Sequence, residues 1–281
     1  MVCLKVGLNN MNQLHKEINE TIKFLKSNRN KLTTQQFKTL KGQCLAGNVE
    51  AARRGFDKIT SRPKTTLKVL ELFAGTRSIG KAFEARGHEV FSVEWDKDFE
   101  NIDLYADIGT LTAKDIIKKF GRPDVIWASP DCATFSVAAI SKHRRKNKET
   151  GNLDPISEYA KFCDAVDQHV LQLIDDLKPR FYFIENPRGG MRKMSWMKYL
   201  PRYTVTYCQY GENRMKPTDI WTNHPNPQFK PPCKNGDPCH EAAPRGSQTG
   251  TQGLKSAKEK GIIPEALCQH IVDICEKYIK K

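Results

Sequence analysis

The sequence has no run of 18 or more apolar residues, about the length a membrane-crossing helix needs. Its first residues, Met1-Val-Cys-Leu-Lys-Val-Gly7, lack the charged head, apolar stretch and small-residue cleavage site of a secretion signal. Its nine cysteines fall in no regular framework, which argues against a disulfide-built secreted domain and for reduced thiols in a cytosol. The Gly-Lys-Ser/Thr of a phosphate-cradling loop is missing, and no internal repeat is visible.

What is present is positive charge. The formal net charge is +14, which points to an acidic partner, nucleic acid first. The excess is uneven: residues 1–68 hold fourteen Lys and Arg against four acids, a difference of +10. At 281 residues the chain can hold one large domain with an appendage.

Met11, Leu14, Ile18, Ile22 and Leu25 have helical spacing. Thr33 or Thr34 can cap a second helix, and Val49 to Ile59 reads as a third. Residues 1–65 are therefore expected to form a basic helical arm, joined through Ser61-Arg-Pro-Lys-Thr-Thr66 to the rest. From Leu67 strands and helices alternate. Strands are expected at 67–73, 88–94, 104–107, 124–127 and 180–184, with helices at 81–86, 113–120 and 156–177. That alternation predicts an α/β fold with a doubly wound, mostly parallel sheet. Two later strands, 203–207 and 219–222, complete a domain over 66–222. Residues 223–253 read as an irregular loop, and 254–281 carry a terminal helix starting at Pro264.

The stretch with most chemistry in it is Ala128-Ser-Pro-Asp-Cys-Ala-Thr-Phe-Ser136. It follows a buried strand, so Cys132 falls at the carboxyl edge where such sheets bind ligands. Ser141 to Lys148 then brings five cationic side chains in eight residues. Positive charge there is expected to lower the thiol pKa and to attract phosphates. Glu185-Asn-Pro187, after the next parallel strand, is expected at the same edge. A thiolate that adds to C6 of a pyrimidine makes C5 nucleophilic. A carboxylic acid at N3 and cations at O2 ease that addition; Glu185, Arg214 and Lys216 are the candidates. At the other end, Gly75…Gly80 lets backbone approach a ligand. Glu94 is placed for ribose hydroxyls, Trp95 offers a flat face, and Asp107 can accept from an adenine amino group.

These segments resemble the C5-cytosine DNA methyltransferases, which use S-adenosylmethionine. Phe73-Ala-Gly-Thr-Arg-Ser-Ile-Gly80 is similar to their first motif, Phe-Ala-Gly-x-Gly-Gly. Glu94-Trp-Asp96 and Asp107-Ile108 resemble the second and third. Pro130 to Ser136 resembles the nucleophile loop, Glu185-Asn-Pro187 the Glu-Asn-Val element, and Tyr210 to Lys216 the Gln-x-Arg-x-Arg segment. The match runs over about residues 67–222 in the family's order. The resemblance implies a Rossmann-like methyltransferase domain with S-adenosylmethionine as cofactor. It implies a cofactor site of Phe73, Ala74, Gly75, Thr76, Ser78, Ile79, Glu94, Trp95, Asp107, Ile108 and Pro130. Cys132 would attack C6, Glu185 engage N3 and Arg214 contact O2, with Asn186 holding the loop and Ser136 assisting. Double-stranded DNA is the implied partner, with the base flipped out. A monomer in the cytoplasm of a bacterial or phage-infected cell is expected, with no membrane contact and an arm open to DNA or to a protein.

The chain departs from the family at four places. Arg77-Ser78 stands where the glycine pair falls, Asp131 replaces a proline, and Lys216 replaces an arginine. After residue 222 the large recognition domain and the late Gly-Asn-Ser segment are missing, with Gly250-Thr-Gln-Gly253 as a partial substitute. Residues 223–253 are thus a minimal recognition region, and low sequence specificity is expected. Cys233, Cys239 and His240, with Cys208 upstream, have no standard zinc spacing, so ordinary loop thiols and no metal are the expectation, with a zinc site as the alternative that metal analysis decides. Two other readings share the motifs: an RNA (tRNA) cytosine-5 methyltransferase, and a non-catalytic nucleic-acid-binding homologue.

Overall fold

The computed structural model describes residues 2–32, 34–60, 66–242, 254 and 256–279, and the chain divides into two units, Met1–Thr65 and Thr66–Lys281. The first unit is three helices: α1 (Val2–Ser27), α2 (Thr34–Leu45) and α3 (Val49–Thr60). They enclose a small core of Leu25, Leu32, Leu40, Cys44, Ala52 and Phe56. Gly55 permits the close approach of α3 to α2, because a Cβ there would sit 2.7 Å from Leu40 Cδ2. Thr33 and the expected linker residues 61–65 lie outside the described residues.

In the second unit the elements run β1 (Lys68–Leu72), α4 (Ser78–Ala85), β2 (Glu89–Glu94), β3 (Leu104–Tyr105), α5 (Ala113–Lys119) and β4 (Val125–Ala128). They continue with α6 (Ile140–His143), β5 (Arg144–Lys146), β6 (Leu153–Pro155), α7 (Glu158–Leu177) and β7 (Phe181–Pro187). Then come β8 (Arg202–Thr206), β9 (Pro217–Thr222), α8 (Ala257–Gly261) and α9 (Glu265–Ile279). Seven strands form one sheet in the order β3-β2-β1-β4-β7-β9-β8. The strands from β3 to β7 in that order pair in parallel, and β9 is antiparallel to both of its neighbours.

Successive strand residues point to opposite faces, and the apolar strands use this to build two cores. Val69, Val125, Trp127, Phe181 and Phe183 meet Ile79 and Phe83 of α4 and Leu267, Ile271 and Cys275 of α9. Leu70, Leu72, Ile126, Ala128 and Ile184 meet Val170, Leu173 and Leu177 of α7 and Ile116 of α5. Helices cover both faces, as a parallel sheet requires. Local signals hold the ends. Thr112 and Asp115 form a capping box on α5, and Ser157 caps α7 by accepting from the Ala160 amide at 3.1 Å.

The parallel sheet matches the sequence expectation, with adjustments. α4 begins at Ser78, three residues before the expected start. β3 stops at Tyr105, and Asp107 instead caps a short 3-10 turn at Ile108–Thr110. Glu185 and Asn186 lie within β7, not after it. The expected basic loop at 141–148 is folded: α6 leads into a β5–β6 hairpin. α8, with its Ser256–Glu259 capping box, was not expected. Gly250–Gly253 lie outside the described residues.

Candidate active site

The loop after β4 is held from several sides. Ser129 donates to the Leu72 carbonyl at 3.3 Å. The side-chain amide of Asn186, fully buried on β7, donates to the Pro130 carbonyl at 3.0 Å. The amides of Phe135 and Ser136 both donate back to the Cys132 carbonyl, at 3.1 and 2.9 Å. Gly190 donates to the Phe135 carbonyl at 2.7 Å. A Cβ at Gly189 would stand 2.4 Å from that carbonyl oxygen, so only glycine allows this approach.

Arg144 corrects the picture of a uniformly cationic loop. It is buried, pairs with Asp164 of α7, and donates to the Thr134 carbonyl and hydroxyl at 3.0 and 2.9 Å. Its guanidinium lies 4.0 Å from the Phe135 ring centroid. It fastens the Cys132 loop to α7 and is not available to phosphates. Asp131, beside the nucleophile, accepts from the Tyr159 hydroxyl and from the Ala133 amide.

Cys132 itself is open to solvent. The surrounding desolvation, then the Glu185 and Asp131 carboxylates, push its thiol up to about 11. Lys216 opposes the rise. The expected lowering of this thiol is therefore not found: desolvation and the Glu185 and Asp131 carboxylates raise it, and Lys216 acts against them. Burial in turn lowers Lys216, while Glu185 and Cys132 both act to hold its charge. Cys132, Glu185 and Lys216 thus form one electrostatically coupled group. Glu185 is buried and accepts from the Tyr207 hydroxyl at 3.2 Å. Lys216 lies 4.5 Å over the Tyr207 ring and donates to the Lys260 carbonyl at 2.8 Å. Arg214 is buried and turned onto Glu212, with which it is ion-paired. The cation coupled to the thiol is Lys216. Ser136 contributes backbone geometry through its amide and carbonyl.

At the ends of β1 and β2 the backbone turns sharply. Phe73, Gly75 and Arg77 all have left-handed φ, at 55°, 49° and 57°. Such φ favours glycine, and Arg77 adopts it with its buried side chain paired to Glu84. Glu94 gives its carboxylate to three backbone amides: Gly75 at 2.9 Å, Trp95 at 2.9 Å and Asp96 at 3.2 Å. Trp95 is 69% exposed, an unusual state for so large an aromatic ring. Asp107 is exposed, with Oδ1 accepting from the Gly109 amide at 2.9 Å. Ala74 and Pro130 are buried along this edge. Ile79 and Ile108 are buried core side chains, one in each hydrophobic cluster, so only their backbone is available to a ligand. An exposed indole, strand-end carboxylates and a tight turn of backbone amides are a donor set that suits an adenosine.

One neighbour of this turn was missed from sequence. The Ile263 amide donates to Ser78 Oγ at 3.4 Å, and Ser78 Oγ lies 3.0 Å from Thr76 Oγ1. Lys258 stands 5.2 Å over the Phe99 ring, and Phe99 borders Gly75. Among the described residues, the segment that reaches the turn is 258–263. The Pro264 start of α9 was the only available signal. The structure also brings together the four residues weighed as zinc ligands, Cys208, Cys233, Cys239 and His240. Their ligand atoms all lie within 4.8 Å of one another, although loop thiols with no metal were expected.

A turn at the first strand, acids at the ends of the next two, and a thiol and a carboxylate on the two strands beyond define an α/β methyltransferase of the S-adenosylmethionine type. A family model for C-5 cytosine-specific DNA methylase matches residues 67–195. A probable DNA (cytosine-5)-methyltransferase of Frog virus 3 (isolate Goorha) is 30% identical over 162 residues, 56% of this chain and 71% of the relative. The chain belongs to the C-5 cytosine-specific DNA methylase family. It is an enzyme of that class, transferring a methyl group from S-adenosylmethionine to C5 of cytosine. Among solved structures it is similar to the Entamoeba histolytica methyltransferase EhMeth, with TM-score 0.41, 15% identity, and coverage of 56% of this chain and 52% of that one. A mutant of Spodoptera frugiperda DNMT2 gives 0.38 and 16%, covering 56% and 49%. The chain spans about half the length of those two structures. The family assignment rests on sequence.

Proposed function

We propose that this chain methylates cytosine in double-stranded DNA through a covalent adduct between Cys132 and C6 of a flipped base, with little sequence specificity. The placement of the Cys132 loop and Glu185 on adjacent paired strands, tied by Asn186 to the Pro130 carbonyl, carries the reading. S-adenosylmethionine, when bound, supplies an electrophilic methyl group; Trp95, Asp107 and the 73–78 turn would hold it, with Glu94 shaping the turn. The Cys132 thiol gives up its proton to solvent and the sulfur bonds to C6, pushing the C5–C6 π electrons into the ring toward N3 and O2. Glu185, at N3, protonates or hydrogen-bonds the ring as electron density arrives. Lys216, with Arg214 behind it, faces the charge developing at O2. C5 would then take the methyl group as its bond to the sulfonium sulfur breaks, the bonding pair leaving with a neutral thioether. Loss of the C5 proton and cleavage of the C6–S bond restore the thiolate and the aromatic ring.

Residues 223–242 leave little protein for reading base edges. The arm, with most of the positive charge, adds affinity through phosphates, which carry no sequence information. About one to three specified base pairs are expected on that basis. The enzyme is read as a monomer acting in the cytoplasm of a bacterial or phage-infected cell, with an arm also open to a protein partner. Among the described residues no helix is long and apolar enough to cross a membrane.

The test is labelled methyl transfer to matched DNA and RNA duplexes, followed by bisulfite sequencing of methylated DNA. Transfer to DNA in many cytosine contexts supports the reading. Transfer to RNA alone, or a strict site of about five base pairs or more, contradicts it.

A further inference from the structure

Three sulfurs and one imidazole nitrogen converge beside the end of β8. Cys208 Sγ lies 3.1 Å from Cys233 Sγ and 3.6 Å from Cys239 Sγ. His240 Nδ1 lies 3.6 Å from Cys233 Sγ and 3.7 Å from Cys239 Sγ. We infer that Cys208, Cys233, Cys239 and His240 bind a structural zinc ion.

The spacing carries the inference. Zinc–sulfur bonds of about 2.3 Å and zinc–nitrogen bonds of about 2.0 Å in a tetrahedron put sulfurs about 3.8 Å apart and sulfur and nitrogen about 3.5 Å apart. Three of the four separations fall within about 0.2 Å of those edges, and the fourth is shorter. Four protein ligands leave no open position, as in structural sites. Three thiolates and an imidazole select a soft or borderline ion over magnesium or calcium. A disulfide explains less. It would join Cys208 to Cys233 and leave Cys239 and His240 converging on nothing.

The adjacent pair Cys239-His240 argues against a site on sequence alone. The structure shows why the pair works: the histidine uses Nδ1, the ring nitrogen nearer its own backbone. The ligands are also supported from outside. The Cys233 amide donates to Thr206 Oγ1 at 3.0 Å, and Gln209 Nε2 donates to Cys239 Sγ at 3.5 Å. Between the ligands a tight turn closes through the Lys234 amide on Asp237 Oδ2 at 2.7 Å, with Gly236 at φ 91°.

The ion has a structural task here. Residues 223–242 contain no helix or strand, so little regular structure holds them. Cys208 is buried on the 3-10 turn Tyr207–Tyr210, which leads straight to Arg214. The Glu241 amide donates to the Asn213 carbonyl at 2.9 Å, and Lys230 Nζ donates to the Gln209 carbonyl at 2.8 Å. A zinc ion would staple the small recognition loop to the segment bearing Arg214, and its binding energy would be folding energy for that loop.

Full-length protein is purified under reductant without chelator and its metal content measured. One zinc per chain is expected. Cys233→Ser and His240→Ala each lose it, and Cys132→Ser keeps it. Cobalt exchanged into the wild type shows tetrahedral visible bands and thiolate-to-metal charge transfer. Should the ligand variants not fold, wild type titrated with an organomercurial releases zinc to an indicator dye. Stripped protein becomes cleavable by protease within 223–242 and is protected again on adding zinc. Wild type with no zinc that also takes up none after stripping overturns the inference. So does full zinc content in folded Cys233→Ser, or a Cys208–Cys233 disulfide in freshly purified, unreduced protein.

Discussion

The Asn186 side chain donates to the Pro130 carbonyl at 3.0 Å from a fully buried position on β7, so the strand carrying Glu185 also sets the loop carrying Cys132. The bond joins Glu185's strand to Cys132's loop, beside the β4–β7 pairing that sets the two strands in register. Asn186→Ala is expected to lower the single-turnover rate by roughly a hundredfold, the scale of an ångström-sized misplacement, while cofactor affinity changes little. Rapid-quench methyl transfer beside cofactor titration measures both. An unchanged rate would mean the loop is held adequately without this bond.

The Cys132 thiol is pushed up to about 11 by desolvation, Glu185 and Asp131. An acid raised this far is almost wholly protonated near neutrality, so alkylation of Cys132 by iodoacetamide in DNA-free enzyme should be slow at pH 7. It should accelerate with rising pH toward about 11. Lys216→Met removes the cation that opposes the rise, so the profile should move to higher pH. Peptide mass mapping across a pH series follows Cys132 alone. A profile that levels off below pH 8 would contradict the electrostatics.

Glu71 lies buried under the start of α4, with Oε1 accepting from the Gly80 amide at 2.9 Å. Burial raises its carboxyl from 4.5 to about 7. The folded protein therefore holds this proton more tightly than the unfolded chain. The stability it contributes is complete below about 4.5 and is lost as pH rises through about 7. The loss is about 3–4 kcal/mol, from a difference of 7 − 4.5 at about 1.4 kcal/mol per pH unit. Buried Asp167 is raised as well and adds in the same direction. Urea unfolding between pH 4.5 and 8 should show a smaller decline in Glu71→Gln than in wild type. Equal declines would remove Glu71 from the account.

Arg144 and Asp164 form a buried pair behind the nucleophile loop. Arg144→Met strands the carboxylate and should cost about 3–5 kcal/mol. Arg144→Met with Asp164→Leu should recover most of that, because two apolar groups replace two charges. Activity should stay low in the double variant, since the bonds to Thr134 are gone. Recovery of activity together with stability would show that the clamp serves folding alone.

Much of this was legible in the sequence because the strands are short apolar runs with acids at their ends, and two-face burial demands that composition. Val125-Ile-Trp127 and Phe181-Tyr-Phe-Ile184 place Cys132 and Glu185 on paired strands for this reason. Side-chain partners at long range were not legible. Arg144 reads as one of five cations until the fold brings Asp164, twenty positions on, against it. The thiol is raised where the basic stretch predicts a lowering, because desolvation and Glu185, from a distant part of the sequence, add to the neighbouring Asp131. The turn at Arg77 reads as a departure from glycine, yet its backbone keeps the left-handed φ and the side chain compensates through Glu84. Cys208 and the Cys233–His240 loop meet only because β8 and the loop after β9 pack together, which spacing does not encode.

The most direct measurement is mass spectrometry of the enzyme after incubation with S-adenosylmethionine and duplex DNA containing 5-fluorocytosine, whose fluorine blocks the final elimination. The account predicts a stable protein–DNA adduct mapped to Cys132, sharply reduced in Glu185→Gln and absent in Cys132→Ser, which should also lose about a thousandfold or more in methyl transfer. Methylation at the wild-type rate by Cys132→Ser, or an adduct on any other cysteine, would contradict it.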